Sequence, residues 1–209
     1  LQALAARVNA DAIAAERPDP GYVAHLVEGN DVGGIDVGFL VKTGPVGEST
    51  PRVEVFGVQQ LGKDTTWIDP STGAAATLND RPPLLIDAIV HYADGRTFPI
   101  TTVVVHQRSF NGVDSTDPTG ATTEGNRVRR KRQAQAEFLA NELQVRQAES
   151  PDRRIVVVGD FNAFEFNDGY ADAMGTATGR PSPDDQTVVP GDGADLVNPD
   201  FSNLANLES

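Results

Sequence analysis

Residues 154–163 read RIVVVGDFNA, and the fold follows from this stretch. Its apolar run is short and rich in β-branched valine, which predicts a strand over residues 154–161 that is buried on both faces. Asp160 and Asn162 follow at the strand end, and side chains two positions apart in an extended chain point to the same side. A carboxylate and an amide that converge suit a hard cation or a phosphoryl oxygen. The alternative is a capped turn, in which both side chains bond only nearby backbone groups.

Composition limits the possible functions. The 209 residues include 17 basic and 30 acidic side chains, a net charge of −13 that opposes non-specific binding of nucleic acid. An anionic substrate therefore requires a metal ion or a local basic patch. The chain has no cysteine, which excludes disulfides, Cys-ligated zinc and a thiol nucleophile. No apolar run approaches the roughly 20 residues of a transmembrane helix.

The hydrophobic patterns predict an α/β fold with mostly antiparallel strands and few helices. The Asp-Gly pair of ADGR, residues 93–96, predicts a hairpin turn. Residues 61–83 read as a turn-rich connection, and residues 107–126 as a long loop of the kind that is usually functional or disordered. Helices are predicted over residues 1–16 and 127–148, and strands over 22–28, 35–42, 52–60, 84–92, 98–106 and 154–161.

Two further features can carry chemistry. His106 ends an apolar strand that leads into the long loop, whereas His25 and His91 fall inside strands and are interpreted as structural. A histidine near a phosphate can exchange a proton near neutral pH. The run RVRRKR, residues 127–132, places cations at a helix N-terminus, where they oppose the macrodipole unless an anion lies nearby. Phosphate contact and a solvated helix face are both open for this run.

Several segments taken together resemble the endonuclease/exonuclease/phosphatase superfamily, the metal-dependent fold of pancreatic deoxyribonuclease. They are VVVGDFNA, the strand end VVVH and GNDVGGIDVGFLVKT, and LNDRPPLLIDAIV and KRQAQAEFLANEL also match the bacterial extracellular-nuclease branch. The resemblance implies a four-layer fold, a two-sheet β-sandwich flanked by helices. The active site would lie at one end of that sandwich.

The resemblance also implies roles for particular residues. Asp160 would orient the attacking water or hold a metal ion, and Asn162 would contact the metal and the scissile phosphate. His106 would bind phosphate and act in acid–base chemistry, and Asp195 would orient a late catalytic histidine. The cations that would bind the substrate are Arg108, Arg127, Arg129 and Arg130.

The chain departs from the family pattern at several points. Val105 stands where asparagine is usual, residues 107–109 read QRS in place of LKS, and Gly33 stands where many relatives have arginine. The family's metal-binding glutamate, its first strand and its closing Asp-His pair have no counterpart. We therefore expect a single domain, residues 1–209, that is incomplete at both ends and a weak or inactive enzyme by itself.

The sequence thus predicts a phosphodiester hydrolase dependent on Mg²⁺ or Mn²⁺, a monomeric nuclease that cleaves DNA or RNA and is secreted or held at the cell surface. Two alternatives remain open at this point. One is a phosphomonoesterase or sphingomyelinase of the same superfamily. The other is a non-catalytic module that keeps the fold for binding.

Overall fold

The computed structural model describes residues 1–189 and confirms the predicted α/β class. Its strands form one four-stranded sheet and several two-stranded ones. Within that range the helices are α1 (Gln2–Ala14), α2 (Glu124–Glu149) and α3 (Ala173–Ala177), with a 3₁₀ turn at Asp184–Gln186. The strands are β1 (Tyr22–Leu26), β2 (Gly38–Lys42), β3 (Pro45–Val46), β4 (Thr50–Pro51), β5 (Val53–Gln60), β6 (Thr66–Ile68), β7 (Ala75–Thr77), β8 (Leu84–His91), β9 (Thr97–His106), β10 (Pro118–Thr119), β11 (Thr122–Thr123) and β12 (Ile155–Asp160).

The chain divides into two compact units. The first comprises Leu1–Lys63, Asp80–His106 and Arg153–Gly159. The second comprises Asp64–Asn79, Gln107–Asp152 and the described residues from Asp160 onward.

A four-stranded sheet in the order β12-β9-β8-β5 forms the centre of the first unit. Antiparallel pairing joins β5 to β8 and β8 to β9, and the predicted Asp-Gly turn connects the last two, with Gly95 at φ +86°. Strand β12 runs parallel to β9. The Thr101 N–H donates to the Arg154 carbonyl and the Gln107 N–H to the Asp160 carbonyl, and both bonds join residues the same number of positions apart.

The prediction that residues 154–161 form a strand buried on both faces is wrong. Val156 and Val158 are each 42% exposed, whereas Ile155 and Val157 are half-buried. Alternate side chains of a strand lie on opposite faces of the sheet, and at the edge strand β12 the face that carries these two valines is open to solvent. A continuous run of valines occurs both in central strands and in edge strands with one open face, so the sequence alone does not distinguish between them.

A hairpin and a helix complete the first unit. Strands β1 and β2 lie within the strands predicted over residues 22–28 and 35–42, and they pair antiparallel from Tyr22 opposite Lys42 to Leu26 opposite Gly38. The Asn9 side chain on α1 both donates to the Tyr22 carbonyl and accepts from its N–H, at 3.1 and 2.8 Å. This pair of bonds fixes α1 to the start of β1.

Helix α2 dominates the second unit. It begins three residues before the predicted start because the Thr123 hydroxyl accepts a hydrogen bond from the Asn126 N–H at 3.2 Å, an N-cap. The predicted apolar face is confirmed, since its members are at most 4% exposed: Ala136, Leu139, Ala140 and Leu143.

The turn-rich connection over residues 61–83 contains structure that the sequence did not predict. Strands β6 and β7 pair antiparallel within it, and Trp67, the chain's one tryptophan, lies opposite Ala76. None of the helices in the described part of the chain is long and apolar enough to cross a bilayer.

Candidate active site

The end of β12 is shaped by a close backbone approach. Gly159 has φ +129°, and a Cβ at that position would collide with the Val105 carbonyl, so only glycine fits. The chain then turns sharply, and the Asp160 carboxylate accepts a hydrogen bond from the Asn162 N–H at 2.9 Å. This contact brings the two predicted metal ligands together in one turn.

Asn162 is held in an unusual conformation by three hydrogen bonds. Its φ of +47° lies in the left-handed region, which asparagine tolerates better than most residues. Besides the bond to Asp160, its Nδ2 donates to the Gln107 carbonyl at 2.9 Å and its carbonyl accepts from Arg132 at 2.8 Å. The amide oxygen Oδ1 is therefore the end of the side chain that remains for an acceptor or ligand role.

Arg132 is the buried support of that turn. It is 2% exposed, and both Nη1 and Nη2 donate to Asp168 Oδ2 at 3.0 Å. The side chain of Asp168 is 6% exposed, and its Oδ1 accepts from the N–H groups of Tyr170 and Ala171 at 2.8 and 3.0 Å. Removing a charged group from water costs roughly several kcal/mol per ion. The attraction between the two charges and their hydrogen bonds offset this cost. Arg132, held in place by this buried ion pair, thus fixes the position of the Asn162 carbonyl.

His106 ends β9 and is half-buried in the first unit. Its Nε2 lies 3.0 Å from Nη1 of Arg81, which precedes β8. A guanidinium can only donate, so Nε2 accepts and the ring is neutral in this contact, with its proton on Nδ1. The pair combines a permanent positive charge with a group able to exchange a proton.

Three of the predicted substrate-binding arginines contact the protein's own acceptors. Arg108 lies 3.7 Å from Glu124, and Arg127 lies 3.5 Å from the same carboxylate. Arg129 donates to the Val113 carbonyl at 2.6 Å. Arg130 is exposed on α2. The cationic run therefore supplies one exposed guanidinium and several that tie α2 to its own unit.

The pKa values of one pair reflect this internal use. Burial raises the pKa of Asp69, but hydrogen bonds from Ser71 and Arg127 outweigh that effect and hold it below the ordinary value. The hydrogen bond to Asp69 raises the pKa of Arg127. Nε of Arg127 and Oδ2 of Asp69 are 2.7 Å apart. This guanidinium is thus committed to a buried carboxylate.

The described residues offer a small donor set for a metal ion. Within residues 1–189 no group of three or more His, Asp or Glu side chains lies close enough to hold one. Asp160 and Asn162 provide one carboxylate and one amide oxygen. This set fits Mg²⁺ or Mn²⁺ when the ion keeps several waters and takes other ligands from a substrate phosphate. Asp195, the remaining predicted catalytic residue, lies outside the described residues.

Sequence reasoning missed Arg81, Arg132 and Asp168. Arg81 lies in LNDRPP, which carried the resemblance but was given no role. Arg132 belongs to the cationic run, but nothing in the run separates the buried member from the exposed ones. Asp168 precedes a glycine and has the composition of an ordinary turn.

No family model matches the chain, and no match was found among curated proteins or among solved structures.

Proposed function

We propose that this chain carries the core of a divalent-metal-dependent phosphodiester hydrolase that cleaves DNA or RNA. The observation that supports this most directly is the restrained Asn162. A residue outside the common backbone regions persists only where its surroundings fix it, and such residues concentrate at functional sites. Three hydrogen bonds, one from the buried Arg132, hold it beside Asp160.

Each residue would have a distinct task. Asp160 would orient the attacking water and, with Asn162, hold Mg²⁺ or Mn²⁺. The Asn162 amide would contact the phosphate as negative charge develops on its oxygens. His106 would exchange a proton with the reacting oxygens, with Arg81 fixing the tautomer of its ring. The bound cation would neutralise charge on the phosphate.

The finer structural predictions belong to the same proposal. They are the two-sheet sandwich, the single domain over residues 1–209, membership of the endonuclease/exonuclease/phosphatase superfamily, and secretion or display at the cell surface as a monomer. The valines on the open face of β12 support the sandwich, because the exposed apolar face of a sheet suits a second layer.

Nicking of supercoiled plasmid with Mg²⁺, Mn²⁺ or EDTA tests the proposal. It is measured for residues 1–209 beside a chain extended at both ends, because residues 1–209 alone are expected to be a weak or inactive enzyme. Asp160→Asn keeps an oxygen for the Asn162 N–H but replaces the other carboxylate oxygen by an amino group and removes the charge, so it should lower nicking by about 100-fold or more. The matched control is Asp152→Asn, at an exposed residue just before the same strand, which should nick as the wild type does. EDTA-insensitive nicking, or an active Asp160→Asn variant, would refute the proposal.

A non-catalytic binding module is the second candidate. The observation that favours it is that the Asp160–Asn162 contacts are also those of a capped turn. Absence of nicking by wild-type protein, together with no uptake of Mn²⁺ at millimolar concentration, would favour this candidate.

A further inference from the structure

A ladder of three phenylalanines lies beside the Asp160–Asn162 turn, within the second unit. The ring centroids of Phe110 and Phe164 are 5.6 Å apart with the planes tilted by 46°. Those of Phe164 and Phe166 are 5.2 Å apart, and the planes are 5° from parallel. Phe164 is 51% exposed and Phe166 is 61% exposed. The outer two rings thus form a stacked pair that faces solvent.

The base of this ladder is rigid and is shared with the candidate active site. The Arg132 guanidinium lies 3.8 Å from the centroid of the Phe110 ring. The same guanidinium donates to the Asn162 carbonyl at 2.8 Å. One buried side chain therefore fixes the position of both the ladder and the turn. Phe164 follows Asn162 by two residues, so a substrate held at the turn lies within reach of the rings.

Exposed, parallel rings next to a phosphate site suit a nucleobase. One face of Phe166 is covered by Phe164, so its exposed surface lies on the other side. Stacking on an aromatic face is tolerant of base identity but requires a base that is not already stacked in a duplex. The chain's net charge of −13 weakens attraction to phosphates, and stacking on an uncharged ring adds affinity that this charge does not oppose.

We infer that Phe164 and Phe166 form a stacking platform for an unpaired base of single-stranded nucleic acid whose phosphate lies at Asp160 and Asn162. The inference rests on the proposed function and adds a preference for single strands. A lipid bilayer is the competing partner for exposed aromatic rings. Glu165 lies between the two rings and is exposed, and its negative charge opposes docking to an anionic membrane surface.

Equilibrium filter binding in Mn²⁺ tests this without catalysis, because both probes carry phosphorothioate linkages that resist cleavage and the cation that holds the phosphate is kept. The probes are a labelled single-stranded oligothymidine and a strand of the same length that carries abasic residues. Wild-type protein should bind the oligothymidine more tightly. The double variant Phe164→Leu/Phe166→Leu keeps apolar bulk but removes the rings, and it should weaken oligothymidine binding by about 5- to 150-fold. Binding of the abasic strand should not change.

Two control variants separate stacking from other effects. Phe166→Tyr keeps a ring and should bind as the wild type does. Phe56→Leu changes a phenylalanine that is 66% exposed on β5 in the first unit, and it should leave both affinities unchanged. Thermal unfolding followed by circular dichroism should give the same midpoint for all variants.

The outcomes distinguish this inference from the proposed function. If the double Leu variant binds oligothymidine as wild type does, or loses affinity equally for the abasic strand, the platform is refuted while the hydrolase proposal stands. If the wild type binds neither strand and its plasmid nicking is also absent, both fail. Ring-dependent binding to phosphatidylcholine vesicles without any binding of oligothymidine would replace the platform with a lipid contact.

Discussion

Arg132→Met is expected to destabilise the protein strongly. The side chain of Arg132 is 2% exposed and that of Asp168 is 6% exposed, so removing the cation leaves a buried carboxylate with no compensating charge. Breaking a buried ion pair from one side costs about 3–5 kcal/mol. The variant also removes the hydrogen bond to the Asn162 carbonyl and the cation–π contact with Phe110. All these interactions are made by one side chain, so their free energies are not additive. We therefore expect the free energy of unfolding to fall by about 3–5 kcal/mol.

Urea unfolding followed by far-ultraviolet circular dichroism measures this loss. The double variant Arg132→Met/Asp168→Asn is the control, because the asparagine oxygen can still accept from Tyr170 and Ala171 while the uncompensated charge is gone. It should be more stable than Arg132→Met alone. If Arg132→Met lies within about 0.5 kcal/mol of the wild type, the pair is not the support that the buried geometry indicates.

Three other measurements follow from the described contacts. The lowered pKa of Asp69 stabilises the fold above its ordinary value of 3.8, and this stabilisation is lost as the pH falls through the lower folded value. Asp69→Asn should therefore be less stable at neutral pH and lose less stability on acidification; an unchanged acid limb in urea titrations would contradict this. Asn162→Ala should unfold more easily than Asn162→Gly by about 1 kcal/mol, because alanine is strained at φ +47°, and both should lack nicking activity. Equal stability would argue against strain at that turn. If Arg81 and His106 act as a unit, Arg81→Met/His106→Ala should nick no more slowly than the worse single variant, and additive losses would show that they act separately.

The regular elements were predictable because their causes are local. The β-branched runs identified β9 and β12, the Asp-Gly pair gave the turn before β9, and helical spacing gave the buried face of α2. Helix α2 was placed three residues too late because the Thr123 cap lies outside the apolar pattern. Short strands such as β6 carry too few residues for a period to be visible.

The burial and the pairing of the charged residues were not predictable, because their partners are distant in sequence. Arg127 pairs with Asp69, 58 positions away, and Arg132 pairs with Asp168, 36 positions away. A run of cations shows its charge, but which members are buried depends on what the fold brings to each of them. Asp160 and Asn162, the centre of the candidate site, were predictable because they lie two residues apart at the end of a strand. Both the candidate metal ligands and the turn that holds them belong to one short segment. Arg132, which supports that centre, was not.

Trp67 makes the second unit optically distinct. It is the chain's one tryptophan, it lies on β6, and it is half-buried there. Indole fluorescence excited at its red edge therefore reports on the second unit alone, whereas circular dichroism reports on both. A denaturation experiment that records both signals from unmodified protein resolves whether the two units lose structure together or in sequence.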